Sequence, residues 1–461
     1  MKGLTYLQQY GYNVLMSGYN VFLTGDAGTG KTHLIRLFIQ KAREKGYNVM
    51  VAAPTGTASI NIDGVTAHRA FDIPMGPLTF NKDNYSVSQE IVETDIVVID
   101  EISMCRIDAF DFIANKILKA NKLRNRVGKA PIQLVLSGDF FQLAPVTVDK
   151  EKKVLNDFYK RDIEAGFAFD SIFWNMFEFK NIILTEVVRQ DNIEYINNLN
   201  KVRIGDKSGI DYFYNNSCKH EIPNAVTLCG TNSDAIAKNK EELSKINSEV
   251  IEYRAIVDGV VLENDTNAEM HLTLKVGARV IMLVNDKNIA YSNGTLGTVT
   301  NLFKDKIIVK LDSGLTIEVE RYEWQVYKYE LDEDLDKPKL IKTQIGTISQ
   351  FPLKLAYAIT IHKSQGQTYD AVNLNPYCWD CGQLYVALSR AKRIDRMYLK
   401  YSINPRDLIV SLNVIKFHNS IVKTANQTID TTVRLLEVNK EEHSTPLDND
   451  MKFLFNSLKS I

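Results

Sequence analysis

An α/β fold with parallel sheet cores is predicted by three observations. The apolar run Val21-Phe22-Leu23 leads into Gly25-Asp26-Ala27-Gly28-Thr29-Gly30-Lys31-Thr32, which opens an apolar-periodic stretch at Leu34, Ile35, Phe38 and Ile39. Further short apolar runs, at 49–53, 96–99 and 132–136, each end in small, polar or acidic residues. Strands of this kind, buried on both faces and alternating with helical patterns, build parallel sheets that bind ligands at their carboxyl ends. From about 276 to 342 the pattern changes to alternating strands with turns at Asn293-Gly294 and Asp312-Ser313-Gly314, an antiparallel signature. A chain of 461 residues is too long for one core, so several domains are expected.

Composition narrows the class. An apolar fraction of 45% and a charged fraction of 24% describe an ordinary globular protein. The net charge of −1 removes any global basic field, although a cleft can be basic on a neutral protein. Five cysteines, an odd number, fit free thiols in a reducing compartment. Cys378 and Cys381 form a lone Cys-x-x-Cys with no second pair to complete a zinc site. No apolar run approaches a membrane span, and the start Met1-Lys2-Gly3-Leu4 lacks a signal core, so a cytoplasmic protein without membrane contact is expected.

Taken in order, the chain begins with a helical start at Leu4–Gln9. Gln8 could read an adenine, since an amide can pair with N6 and N7 together. The glycine loop at 25–32 has the spacing of a phosphate-binding loop. Its glycines let successive N–H groups point at phosphate oxygens, and the helix N-terminus adds partial positive charge. Gly25, Ala27, Gly28, Thr29 and Gly30 would line the phosphates. Lys31 would reach the β- and γ-phosphates and the Thr32 hydroxyl would ligate Mg²⁺. Gly46 ends the helix, and a second strand at 49–53 runs into Pro54-Thr55-Gly56-Thr57-Ala58-Ser59. These residues suit the phosphates of a second ligand or, equally, an ordinary N-capped turn.

Residues 72–94, with Pro74, Gly76 and Pro77, break the rhythm and read as an excursion carrying Phe80 and Tyr85. The strand Ile96–Ile99 delivers Asp100 and Glu101. Beside a phosphate loop, Asp100 would hold Mg²⁺ through water and Glu101 would act as general base on the attacking water. The basic run Lys116 to Lys129 reads as a solvated helix face, with a phosphate-tracking surface as the alternative. The strand at 132–136 ends in Ser137-Gly138-Asp139-Phe140-Phe141-Gln142, where Gln142 could sense the γ-phosphate and an aromatic such as Phe140 could contact a base.

These residues together resemble the petite-integration-frequency family of DNA helicases, in the RecD/Dda branch of superfamily one. The resemblance runs from about Gln8 to Arg393. It rests on the phosphate loop; on Ala53–Ala58 with Asn61 and His68; on Ile99–Met104 and Gly138–Leu143; and on Leu184–Gln190, Thr360–Thr368 and Tyr385–Ala391. The segment 127–132 lacks the family's glycine-rich form, and Ala144-Pro145 stands where paired prolines are common.

The resemblance implies two RecA-like P-loop domains with a small wedge insertion and a small β-barrel insertion. The first domain would span 1–180 with a wedge at about 72–94. The second would span 181–275 and 343–402, interrupted by a barrel of the Src-homology-three type at 276–342, with a helical extension at 403–461. Arg189 and Arg390 look like the family's arginine motifs, and an arginine reaching the γ-phosphate across a cleft stabilises transition-state charge, typically by about 10³–10⁵ in rate. Pro54, Thr55, Gly56, Asn61, His68, Phe140, Thr360, His362, Lys363 and Ser364 would contact single-stranded DNA. The implied protein is a monomeric, ATP- and Mg²⁺-dependent 5′→3′ helicase acting at duplex junctions. Its rivals are a P-loop kinase or simple NTPase, and a DNA-binding module or DNA-stimulated ATPase without strong unwinding.

Overall fold

The computed structural model describes residues 4–74, 76–78, 86–187, 192–262, 265–285, 291, 293–332 and 339–425. The apolar runs become strands Val21–Gly25 (β1), Val49–Ala53 (β2), Val65–Thr66 (β3), Ile96–Ile99 (β4), Gln133–Ser137 (β5) and Lys180–Leu184 (β6). They form one sheet in the order β3-β2-β4-β5-β1-β6. Every neighbouring pair is parallel. β1, β2, β4 and β5 are buried along their whole length, which explains why they read as continuous apolar runs rather than alternating ones. β6 starts at the expected boundary of 180/181 but pairs along all of β1, so the first lobe runs on through Leu184.

Helices cover both faces. Tyr6–Met16 is started by a capping box in which the Thr5 hydroxyl accepts from the Gln8 N–H while the Gln8 side chain accepts from the Thr5 N–H. Lys31–Glu44 buries Leu34, Ile35, Phe38, Ile39 and Ala42, the stripe that a helical period requires. Ile107–Arg126 buries Phe110, Ile113, Ile117 and Ala120 on the other face. Its basic run is only partly a solvated face. Lys116 is buried and donates to the Phe71 carbonyl. Arg124 is buried and donates to the carbonyls of Val92, Thr94 and Ala130 as well as pairing with Asp95. Long basic stems can cross apolar surface while their heads satisfy buried carbonyls, and helical spacing alone does not reveal that.

The excursion expected at 72–94 is anchored in the core at its described parts. Ile73 and Leu78 are buried, and the short helix Gln89–Glu93 buries Ile91 and Val92. Phe80 and Tyr85 lie outside the described residues. A helix at 412–425 returns to the same lobe. Val414, Phe417 and Ile421 pack against it, with the Phe417 ring stacked on Phe169 at 4.3 Å. Leu412 is off that face and exposed.

A second parallel sheet has four strands, in the order Ala358–Thr360, Val226–Cys229 (β7), Val372–Leu374, Met397–Leu399. Between β7 and Ala358–Thr360 come the helix Asn232–Ser244 and then strands whose described pairings are antiparallel. A five-stranded sheet joins Thr316–Glu320, Lys306–Leu311, Leu296–Leu302, Arg279–Met282 and Leu353–Leu355 in that order. Its core holds Val280, Met282, Val299, Val309 and Phe351. Antiparallel strands already begin at Ile251–Arg254 and end at Leu353–Leu355, a wider span than 276–342. The reason is pairing: Lys339–Gln350 continues through 342, and Leu353–Leu355 closes against Arg279–Met282. A long hairpin, Tyr322–Asp332 with Lys339–Gln350, reaches back to the first lobe, where the Tyr329 hydroxyl accepts from the Val51 N–H at 3.0 Å. Among the described residues no helix is long and apolar enough to cross a membrane.

Candidate functional site

β5 pairs with both β1 and β4, so the carboxyl ends of these three strands lie side by side. Each supplies one part of a site. After β1 the chain turns through Gly25, where an added β-carbon would stand 2.2 Å from the Leu184 carbonyl oxygen; only glycine fits. Gly28 and Gly30 take positive φ before the helix begins at Lys31. The Lys31 ammonium folds onto its own loop, donating to the Gly25 and Asp26 carbonyls at 2.8 and 3.0 Å. Burial pulls its pKa down against the opposing pull of Asp139 and Glu101. Gln8 touches the loop, its Nε2 donating to the Thr29 carbonyl at 2.9 Å. Its other amide atom is held by the Thr5 N–H, so the residue expected at adenine is also a brace of the phosphate loop.

β4 ends in the two acids. The Thr32 hydroxyl donates to Asp100 Oδ2 at 3.3 Å. One hydroxyl beside one carboxylate fits Mg²⁺, which takes its remaining oxygens from nucleotide and water. Burial pushes the Asp100 carboxyl above its usual range. Glu101 sits at φ 52°, ψ 43°, the left-handed region, which costs an L-residue roughly 1–2 kcal/mol. Burial, and then the Asp100 charge, raise its pKa, as a general base for water requires. After β5 comes Gln142, buried on the same edge.

The second lobe reaches this edge with side chains. Gln365 Nε2 donates to Glu101 Oε2 at 3.1 Å and approaches Gln142 Oε1 at 3.5 Å. The Tyr385 hydroxyl accepts from the Ala27 N–H at 2.7 Å. Gly382 crosses so close to Gln142 that a β-carbon there would lie 2.2 Å from its carbonyl oxygen. Arg203, at the end of the helix Ile193–Arg203, binds Asp139 through Nε and Nη2 at 3.1 and 3.0 Å and pairs with Asp26 at 3.1 Å. Gln365, Tyr385 and Asp139 lie inside segments that the sequence singles out, but with no role assigned to them. Arg203 has no motif around it.

Arg390 is a correction. Its guanidinium is turned onto its own lobe, donating to the carbonyls of Val386, Ser364 and Gln367 and to the Ser389 hydroxyl. It braces the turn that carries Gln365, while its positive charge still favours the ionised form of Glu101. Arg189 lies outside the described residues.

A groove of about 720 Å³ runs between the lobes. Pro54, Thr55 and Gly56 line it from the first, Lys363 and Gln367 from the second, and Met270 and His271 from the antiparallel strands. The Thr55 hydroxyl also caps the helix Gly56–Asn61, so both readings of this turn hold in part. Asn61 stands beside Gly366, its amide 3.7 Å from where a β-carbon there would be.

Other residues expected on DNA are turned elsewhere. Phe140 is buried in a cluster with Phe22, Phe169, Trp174 and Phe417, because its position after β5 points under the sheet. Thr360 is buried and its hydroxyl accepts from the Lys363 N–H, capping the turn His362–Ser364. Ser364 is buried and donates to the Ile361 carbonyl. Both therefore shape the turn that presents Lys363. His68 is not among the groove-lining residues; burial lowers its pKa, with Arg106 adding to the effect. His362 faces Trp379, and its Nε2 has no hydrogen-bond partner among the described residues.

Residues 7–208 match the PIF1-like helicase family, and residues 355–394 match the UvrD-like helicase C-terminal domain. The chain is 30% identical over 439 residues to an ATP-dependent DNA helicase Pif1 of Campylobacter jejuni, covering 87% of this chain and 94% of that protein. It superposes on Bacteroides sp. Pif1 in complex with ADP-AlF4 with a TM-score of 0.77 at 34% identity, covering 92% of this chain and 98% of that one. Against Bacteroides Pif1 bound to single-stranded DNA the TM-score is 0.65 at 35% identity, covering 90% and 96%.

Proposed function

The chain belongs to the PIF1-like helicase family and is an ATP-dependent DNA helicase, and we propose that it tracks 5′→3′ on single-stranded DNA by opening and closing the cleft between its two parallel-sheet lobes. One observation carries this reading. The turn His362–Ser364 puts Lys363 in the groove, and two residues on, Gln365 holds Glu101. A strand gripped at Lys363 therefore pulls on the residue that positions the catalytic glutamate.

The roles follow from the geometry. Lys31 leaves the Gly25 and Asp26 carbonyls for the phosphates, a stronger, charge-assisted partner. Thr32 and Asp100 would hold Mg²⁺, which would supply charge neutralisation at the phosphates. Glu101 takes the proton of the attacking water, and Gln142 and Gln365 orient that carboxylate and the water. Arg189 neutralises charge from the far side when the cleft shuts. Pro54, Thr55, Gly56, Asn61 and Lys363 follow the DNA backbone. The protein works as a cytoplasmic monomer at duplex junctions, with residues 72–94 as wedge.

Opening a duplex costs on the order of 1.4 kcal/mol of stacking per base-pair step, so closure must be tightly tied to hydrolysis for unwinding to keep pace with tracking. The test is ATP-dependent unwinding of matched duplexes bearing either a 5′ or a 3′ single-stranded tail. Unwinding from the 5′ tail is expected; preference for the 3′ tail would reverse the assigned direction. Hydrolysis stimulated by DNA without strand separation would leave a translocase.

A further inference from the structure

Behind the phosphate loop lies a group that the reaction scheme above does not use. Arg203 is 5% exposed and makes a two-pronged contact with Asp139 through Nε and Nη2 at 3.1 and 3.0 Å. Its third nitrogen pairs with Asp26 of the loop at 3.1 Å. The guanidinium lies 4.4 Å over the Phe141 ring. Asp139 in turn accepts from the Phe141 N–H, on the loop that leads to Gln142.

Arg203 belongs to the second lobe. Its helix buries Tyr195, Leu199 and Val202 in that lobe's core. The Tyr195 hydroxyl donates to the carbonyls of Leu388 and Ala391, which flank Arg390. The arginine is therefore rigidly carried by one lobe while both its carboxylate partners belong to the other. A fully buried arginine with two carboxylates is a strong tie: its planar fork matches the acid geometry, and stranding either partner costs several-fold more than a surface pair.

We propose that Arg203 is a positioning residue for ATP binding, which holds Asp26 and Asp139 from the opposite lobe and so sets how the phosphate loop presents Lys31 to a nucleotide. The proposal rests on the ATP-site reading above. Two cations, Lys31 and Arg203, share two carboxylates, Asp26 and Asp139, in one buried cluster. Lys31 already sits on the Asp26 carbonyl, and Asp139 is the carboxylate that favours its charge most. With Arg203 in place the acids are neutralised and the ammonium can be given up to phosphate. Without it both acids compete with the nucleotide for Lys31. Because the arginine rides on the second lobe, DNA that shifts the lobes also shifts the nucleotide affinity.

The experiment is steady-state ATP hydrolysis by the full chain, with and without single-stranded DNA, for wild type, Arg203→Ala, Arg203→Lys and Asp26→Asn. Arg203→Ala is expected to raise the KM for ATP about tenfold, within the usual range for coupled sites, with a smaller change in kcat and with the DNA-dependent change in KM abolished. Arg203→Lys keeps the charge but not the fork and falls between wild type and alanine. Asp26→Asn cuts the tie to the loop but also removes one acid that competes for Lys31, so it shifts KM by less than Arg203→Ala. If Arg203→Ala is too unstable to assay, the lysine and asparagine variants carry the test. A wild-type KM with an intact DNA response, accompanied only by a lower Tm, would overturn the proposal. So would a fall in kcat at unchanged KM. Failure of the ATP-site reading is distinguishable: wild type, not the variants, would then show no turnover sensitive to Lys31→Ala.

Discussion

The six-stranded sheet assembles its loop, acids and glutamine from three adjacent strand ends, whereas the lobe built on the four-stranded sheet bonds to the same edge through the long side chains of Gln365, Tyr385 and Arg203. The first arrangement is a fixed scaffold; the second is a set of contacts that can be made and unmade. Gln365, Tyr385 and Arg203 each cross the boundary by a different kind of bond: amide to carboxylate, backbone N–H to phenol, guanidinium to carboxylate pair. A machine whose chemistry is fixed in one lobe and whose timing is held by the other can change its rate without rebuilding its site.

The largest effect separating the two lobes is expected from Glu101→Gln. It should lower kcat by roughly 10²–10⁴-fold while a fluorescent nucleotide still binds. Wild-type turnover should fall as pH drops through the raised pKa of Glu101, because only the ionised carboxylate accepts a proton; that acid limb should vanish in the glutamine variant. Normal turnover by the variant would remove the assigned base. Next comes Phe140→Ala, which opens the aromatic core and should cost about 3–5 kcal/mol by denaturant unfolding. If it instead weakened DNA binding with stability intact, Phe140 would belong to the groove after all. Lys363→Ala should weaken single-strand binding and flatten its salt dependence by about 0.7 in the logarithmic slope, one phosphate's worth. Tyr385→Phe is the mildest. Losing one buried acceptor for the Ala27 N–H should cost about 1–3 kcal/mol, seen as a lower Tm that nucleotide partly restores.

Those contrasts also explain what the sequence could reveal. A phosphate cradle is local: Gly25 to Thr32 must be contiguous for N–H groups to converge, so it is readable from spacing. The same holds for Asp100-Glu101 at a strand end. Phe140 is different. Two phenylalanines after a strand do not say which one faces inward, and the partners that bury Phe140 include Trp174 and Phe417, far along the chain. Arg203 lay beyond reach for a sharper reason. An arginine in the last turn of a helix is the ordinary complement of the helix dipole, and nothing nearby marks the two acids it meets. Arg390, Thr360 and Ser364 were legible as a motif, but not that their side chains bond to the backbone around the turn His362–Ser364. The boundary at 180 failed because β6 follows a run of loops and short turns, yet pairs with the first strand of the chain.

Glu101 occupies backbone torsions that a glycine would adopt at no cost. Its side chain, a crowded carboxylate beside another, is itself unhappy in the resting protein. Both terms press against the residue proposed as the base. A library of variants sorted for heat tolerance alone would therefore drift toward glycine or asparagine at this position and lose its motor in the process. Endurance and work pull the same residue in opposite directions, and only selection that demands movement keeps the glutamate there.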